Sequence, residues 1–186
     1  MRQLSNDRSG NVIILPGQGG QSGSQVPSDN DGRGTSRPTQ PAITDSSYPF
    51  GYVRNVVDGD TLNALIGSES QTVRLACIDA PEEAQEPVGM LASNRLTAFL
   101  SPGRQFTYRS VDIDQYGRMV AEIYISGASL NVHLVKDGMA VVYPQYLSGC
   151  SESRAALLAA ESEARASRRG FWSQSNPVMP WDFRQQ

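Results

Sequence analysis

A mainly β fold with packed helices, an α+β architecture, is predicted by three observations. Short segments of alternating apolar and polar residues recur at regular spacing between residues 51 and 125, each bounded by Gly, Asp or Pro. Asp58-Gly59-Asp60 stands between two of them as a hairpin signal. Helical spacing appears only between the third and fourth segments and after the fifth.

Gly51 to Val57 and Thr61 to Ile66 read as the first two strands, flanking that turn. Gln71 to Ile78 reads as the third, stopped at Asp79-Ala80-Pro81-Glu82 because Pro cannot donate to a ladder. Pro87 opens a helix through Leu100, with Met90, Leu91, Leu96 and Phe99 as its apolar face and Pro102-Gly103 as its stop. Gln105 to Val111 and Met119 to Ile125 supply strands four and five around Asp112 to Gly117. Ser129 to Asp137 is a short helix, capped by Ser129 and ended by Gly138. The last helix spans Ser151 to Arg169, with Leu157, Leu158, Glu161, Ala164 and Arg165 at helical spacing and Gly170 beyond its end. Trp172, Trp181 and Phe183 are aromatic anchors for the remainder. Three strands, a helix, two strands and then helices suit a five-stranded Greek-key barrel of OB-fold type, with about three helices packed at its base. Such barrels often hold oligonucleotides.

Residues 1–47 differ in texture. They are rich in Gly, Ser, Gln, Asn, Asp and Pro and nearly free of aromatics, so they bury too little apolar surface to offset ordering entropy. A low-complexity leader or linker over 1–47, followed by one domain over 48–184, is the expected organisation. Gly17 to Gly23 is not a phosphate loop, because no strand–loop–helix context and no Gly-Lys-Ser/Thr follow it. No apolar run approaches the ~20 residues of a membrane span, and Val12 to Leu15, ended by Pro16-Gly17, is too short to be expected as the apolar core of a signal peptide.

The 186 residues carry a formal charge of −3, with Lys136 as the single lysine. Diffuse attraction of a basic surface to a polyanion is therefore disfavoured. Any work on nucleic acid must instead rest on a local arrangement, with a metal ion as a further source of positive charge. The basic groups are nearly all Arg, whose planar forks suit bidentate phosphate contacts. One histidine, His133, and two cysteines leave no structural zinc site and no histidine-based hydrolytic set. His133 reads as structural.

Three clusters hold the remaining candidate groups: Asp58-Gly59-Asp60-Thr61, Arg74 through Glu82, and Asp114 through Arg118. Each falls at a strand end or turn, positions that converge on one rim of a small barrel. Asp60 and Asp79 offer hard oxygens of the kind Ca²⁺ prefers. Arg74 and Arg118 suit a phosphate and the charge developing on it, which leaves Glu82 as a general base or water-orienting group. Taken singly, each cluster reads as a plain turn or a solvated strand residue.

Together, and in order, they resemble the staphylococcal nuclease family. The resemblance rests on Val56-Val57-Asp58-Gly59-Asp60-Thr61, Arg74-Leu75 with Asp79-Ala80-Pro81-Glu82, and Asp114 with Gly117-Arg118. It continues through Asn131, Leu134-Val135, Gly138 and Ala140, then Glu161, Ala164-Arg165 and Gly170-Phe171-Trp172. It implies a Ca²⁺-dependent nuclease of DNA and RNA that breaks the 5′-O–P bond, leaves 3′-phosphate ends and prefers single-stranded or frayed substrate. Asp60, Asp79 and the Ala80 carbonyl would be metal ligands, with Asp58 beside them. Arg74, Glu82 and Arg118 would be catalytic. Arg74, Arg118, Tyr116, Tyr143 and Tyr146 would meet the substrate. The departures are Gln115 where a phosphate-binding Lys is usual, and the acidic run Glu83-Ala84-Gln85-Glu86 where the family's founder has a basic loop. The rival readings are a nuclease-like module without activity, which binds nucleic acid or protein, and a metal-free single-strand binder. No membrane partner is expected, and a monomer is.

Cys77 and Cys150 are either two buried thiols or one disulfide beside the metal site. A disulfide is the expectation for the oxidised protein. It would favour an extracellular or periplasmic setting over a cytoplasmic one.

Overall fold

The computed structural model describes residues 4–6, 12–14 and 48–186. The leader expected over residues 1–47 lies outside the described residues apart from two short strands, β1 (Leu4–Asn6) and β2 (Val12–Ile14), which pair antiparallel within their own unit.

The second unit is built on β3 (Phe50–Val56), β4 (Thr61–Ile66), β5 (Glu69–Leu75), β7 (Gln105–Ile113) and β8 (Met119–Ile125), with β6 (Ile78–Asp79) lying between β5 and β7 in sequence. Strand order is β5-β4-β3-β7-β8, with the two-residue β9 (Ala128–Ser129) paired on β8, and a parallel pairing of β5 with β8 closes the sheet. The result is the five-stranded barrel that the sequence predicts. Closure removes the exposed edges that an open sheet of these short strands would present. Leu62, Val73, Phe106 and Ile123 fill its interior.

Helix α1 (Val88–Phe99) packs across one end of the barrel, and α2 (Leu130–Lys136) and α3 (Arg154–Ala166) add to the core. The Ser129 side chain accepts from Val132 N–H and caps α2, as its sequence position implies. The buried face of α1 departs from the sequence expectation. Val88, Gly89, Ala92 and Leu96 face inward, while Met90 and Leu91 are 54% and 46% exposed. Small residues win because this helix approaches backbone closely. A Cβ on Gly89 would strike the Glu82 carbonyl and the Glu83 Cα.

Two further elements differ from expectation. The third strand does not run unbroken to Ile78: Cys77 adopts φ 65°, and the chain turns before resuming as β6, which pairs with β10 (Val141–Val142). The last helix begins at Arg154 rather than Ser151, because a 3-10 turn, Pro144–Cys150, precedes it. Its buried positions are Leu157, Ala160 and Ala164, leaving Leu158 exposed.

Several residues of the family pattern are clamps. Buried Asn131 donates to the Ala76 carbonyl (2.9 Å) and accepts from Ile123 N–H (3.0 Å), tying α2 to the end of β5. Glu161 accepts from Val142 N–H (2.9 Å), tying α3 to β10. Buried Glu122 accepts from Arg109, Tyr124 and Ser153, and Arg109 donates onward to the Gly149 carbonyl (2.9 Å). A buried carboxylate satisfied on both oxygens holds its neighbours firmly, since any loosening strands a charge away from water.

Cys77 and Cys150 form a disulfide with Cα atoms 6.3 Å apart, inside the range a bridge requires. It closes a loop of 73 residues. The chain-entropy model assigns such a loop roughly 4 kcal/mol, so reduction is expected to lower the melting temperature measured by circular dichroism. An unchanged melting temperature would count against that role. Gly89→Ala is expected to lower the melting temperature too, although Ala ordinarily strengthens a helix by ~1 kcal/mol. The added methyl must push α1 off the Glu82 backbone. A rise in melting temperature would show that the helix shifts at no cost.

Candidate active site

Strand register brings the first carboxylate and the first arginine together. Thr61 pairs with Arg74 across β4 and β5, and the Asp60 carbonyl accepts from Leu75 N–H (2.8 Å). Asp60 therefore sits at the start of β4 beside Arg74. Its turn is organised by Asp58, whose side chain accepts from Asp60 N–H (2.9 Å). Gly59 is required because a Cβ there would meet the Cβ atoms of Ala80 and Ala92 at 2.6 and 2.9 Å.

The break at Cys77 returns the chain so that Asp79 meets the same guanidinium. Arg74 Nη1 lies 2.6 Å from Asp60 Oδ2, and its Nη2 lies 2.7 Å from Asp79 Oδ1. One planar fork thus spans two carboxylates. Ala80 N–H donates to Asp60 Oδ2 (2.6 Å), which closes the group. Arg74 Nη1 also donates to the Ile78 carbonyl (3.3 Å), so this arginine is anchored on backbone as well as on charge. Burial pushes the Asp60 carboxyl up to about 7; Arg74 and the Ala80 N–H offset part of that rise, while the Asp58 and Asp79 charges add to it.

Glu82 lies on the loop that α1 supports. Its N–H donates to Gln85 Oε1 (2.9 Å). Arg118 ends the hairpin between β7 and β8, where Gly117 takes φ 78° and Asp114 Oδ1 accepts from the Tyr116 and Arg118 N–H groups (3.0 and 2.9 Å). Arg118 Nε donates to Asp114 Oδ2 (2.7 Å), and its guanidinium lies 5.4 Å from the centre of the Tyr116 ring. Burial raises the Asp114 carboxyl, but the hydrogen bonds from Arg118 and Tyr116 outweigh it and hold it below its ordinary value.

These groups share a cleft of about 1200 Å³ on one rim of the barrel, lined among others by Asp60, Arg74, Ala80, Glu82, Arg118 and Tyr116. Tyr143 and Tyr146 line it too, edge to face with centroids 4.8 Å apart. Tyr116 is 74% exposed, whereas Tyr143 stacks on Trp181 at 5.0 Å. The disulfide holds this tyrosine-bearing turn to the strand end beside Asp79, and the Cys77 carbonyl accepts from Tyr143 N–H (2.9 Å). Every residue singled out from sequence as a metal-holding, catalytic or substrate-contacting group therefore lies in or directly beneath this one cleft. Asp79 is the one beneath, at 0% exposure.

One site residue was not legible in the sequence. Arg184, the C-cap of the short helix α4 (Pro180–Phe183), donates to Asp79 Oδ1 and Oδ2 (3.1 and 2.8 Å) and to Glu82 Oε1 (2.6 Å). Hydrogen bonds to Asp79, and then to Glu82, hold its pKa above the ordinary value despite burial. No periodicity or turn signal marks it. Only the Pro180-Trp181 anchor shows that the chain returns there.

Among the described residues, no group of three or more His, Cys, Asp or Glu side chains stands ready as a metal cage. The donor set does fit a hard cation in kind: two carboxylates with the Ala80 main chain beside them, all oxygen. The balance of charge also fits, because six carboxylates line the cleft against three arginines. A phosphate entering it meets a deficit of positive charge.

The model of the family described as staphylococcal nuclease homologue matches residues 72–174. An uncharacterized endonuclease of Escherichia coli O157:H7 is 34% identical over 135 residues, covering 72% of this chain and 84% of that protein. A micrococcal nuclease of Shigella flexneri is 34% identical over 143 residues, covering 72% and 79%. An uncharacterized endonuclease of Haemophilus influenzae is 35% identical over 135 residues, covering 72% of each. On the family match over residues 72–174 and the identity with these relatives, the chain belongs to the staphylococcal nuclease homologues.

Proposed function

We propose that this nuclease hydrolyses phosphodiester bonds of DNA and RNA with Ca²⁺ as its cofactor, cutting 5′-O–P bonds and leaving 3′-phosphate ends. The observation that carries the reading is the convergence of Asp60, Arg74, Asp79, Glu82 and Arg118 on one cleft. Asp60, Asp79 and the Ala80 carbonyl would hold the ion, which supplies positive charge to the phosphate when bound. Arg74, fixed by its fork, orients a non-bridging oxygen. Arg118 has Nε committed to Asp114, so its terminal nitrogens are the ones offered to the phosphate and to the leaving 5′ oxygen. Glu82 takes, or aligns, the proton of the attacking water. The P–O bond to that water forms as the bond to the 5′ oxygen breaks. Such chemistry asks the protein mainly for positioning and fixed charge. Tyr116, exposed at the mouth, and Tyr146 suit unstacked bases, which favours single-stranded or frayed substrate. The disulfide fits an extracellular or periplasmic setting.

Cleavage of single-stranded DNA is expected to need added Ca²⁺ and to stop in chelator; full activity in chelator would overturn the assignment. Arg118→Lys retains charge but loses the planar fork, so turnover is expected to fall by at least ~10²-fold with the melting temperature preserved. Glu82→Gln is expected to cost ~10²-fold or more. Parent-like turnover in either variant would remove that residue from the mechanism.

A pH prediction follows from Asp60. In chelator, its folded carboxyl titrates near 7 against an ordinary 3.8. Between those values the folded chain retains a proton that the unfolded chain has lost. Asp60's contribution to stability is therefore full below about 4 and is lost as pH rises through about 7. Denaturant midpoints across this window should fall for the parent and fall less for Asp60→Asn. Identical profiles would show that Asp60 is ionised throughout.

A further inference from the structure

The chain beyond the matched segment, residues 175–186, enters the site at three points. The Val178 carbonyl accepts from Gln85 Nε2 (2.9 Å), and Gln85 in turn holds the Glu82 N–H. Trp181 stacks on Tyr143 with ring planes 14° apart. Arg184 then covers Asp79 and reaches Glu82. Asp79 is fully buried, although its covering partner is a side chain that is itself 39% exposed.

The two arginines on Asp79 are not equivalent. Arg74 also donates to backbone carbonyls at Leu75 and Ile78, so part of its anchorage does not depend on the carboxylates. Among the described residues, the side chain of Arg184 has carboxylate partners alone, and its backbone is the C-cap of a helix of only four residues. Its guanidinium spans both oxygens of Asp79. A divalent cation on those oxygens would face that charge within a few ångströms, in surroundings of reduced dielectric, where like charges repel strongly.

We infer that Arg184 is the displaceable counter-ion of this site, competing with the divalent cation for Asp79 and setting the cation's affinity. The inference rests on the reading above, that Asp79 is a cation ligand. Arg184 neutralises Asp79 and Glu82 while the cation is absent, and the cation takes its place. Because the same guanidinium holds Glu82, loading the site also releases that carboxylate to serve the attacking water.

The test is calorimetric titration of Ca²⁺ into the chelator-stripped, disulfide-bonded full chain, with no nucleic acid present. Asp79→Asn is expected to abolish or cripple binding. Arg184→Gln is expected to bind Ca²⁺ about tenfold tighter or more, since two charge-assisted contacts no longer compete. Arg184→Lys should fall between, because an ammonium keeps the charge but cannot span both carboxylates. If Arg184 merely latched the C-terminal segment, Arg184→Gln would lower the melting temperature and leave the Ca²⁺ affinity unchanged. An unchanged or weaker affinity, with Asp79→Asn still defective, would overturn the role of Arg184 and leave the metal reading standing. Ca²⁺ binding that is absent in the parent, or indifferent to Asp79→Asn, would overturn both. Should Arg184→Gln not fold, Arg184→Lys carries the test with the same sign.

Discussion

The site depends on one electrostatic constraint: Asp60 and Asp79 are buried side by side and must share positive charge. A carboxylate taken from water is costly unless paired, and a single guanidinium, that of Arg74, pairs both at 2.6 and 2.7 Å. Much of the surrounding structure serves to keep those three groups in reach. The Thr61–Arg74 register places one pair, the break at Cys77 places the other, and Asn131 holds the end of β5 through Ala76. Gly59 and Gly89 let the supporting helix come close enough to back both acidic loops.

The same constraint answers the apparent mismatch between an acidic protein and a polyanionic substrate. Affinity for nucleic acid ordinarily follows neutralisation of phosphates by a basic surface. Here the cleft is itself acidic, so its charge must be reversed locally, and a divalent cation held by the oxygen donors of Asp60 and Asp79 would do so without a basic exterior. The acidic run after Glu82 and the glutamine at 115 are then tolerable, because the charge that matters lies deeper in the cleft.

How much of this was legible in the sequence can be judged residue by residue. The strands, the barrel they form and the polar set Asp60, Arg74, Asp79, Glu82 and Arg118 were readable, because turn chemistry, alternation and ordered motifs are local signals. The interruption at Cys77 was not, since a non-glycine residue at φ 65° leaves no mark in composition. The inward face of α1 was misjudged because apolar size, not proximity to backbone, guided the expectation. Gly89 and Ala92 are buried where Met90 and Leu91 are not. Arg184 was beyond reach for a different reason. Its partners lie 105 and 102 residues earlier, and a contact of that span follows only from the tertiary path of the last segment.

That last segment and the disulfide both hold the tyrosine-bearing turn, at different residues. Cys150 fixes the turn covalently to the strand that leads into Asp79, while Trp181 lies against Tyr143 from the C-terminal side. The covalent tether is permanent under oxidising conditions; the aromatic and ionic tethers are reversible on the scale of ordinary packing and salt-bridge energies. The turn is thus held by one bond and by exchangeable contacts together, and only the latter can be released under oxidising conditions. On the roles proposed for Asp79 and Glu82, substrate access would be tied to the carboxylates of the chemistry, because Arg184 fastens the C-terminal segment to those two side chains.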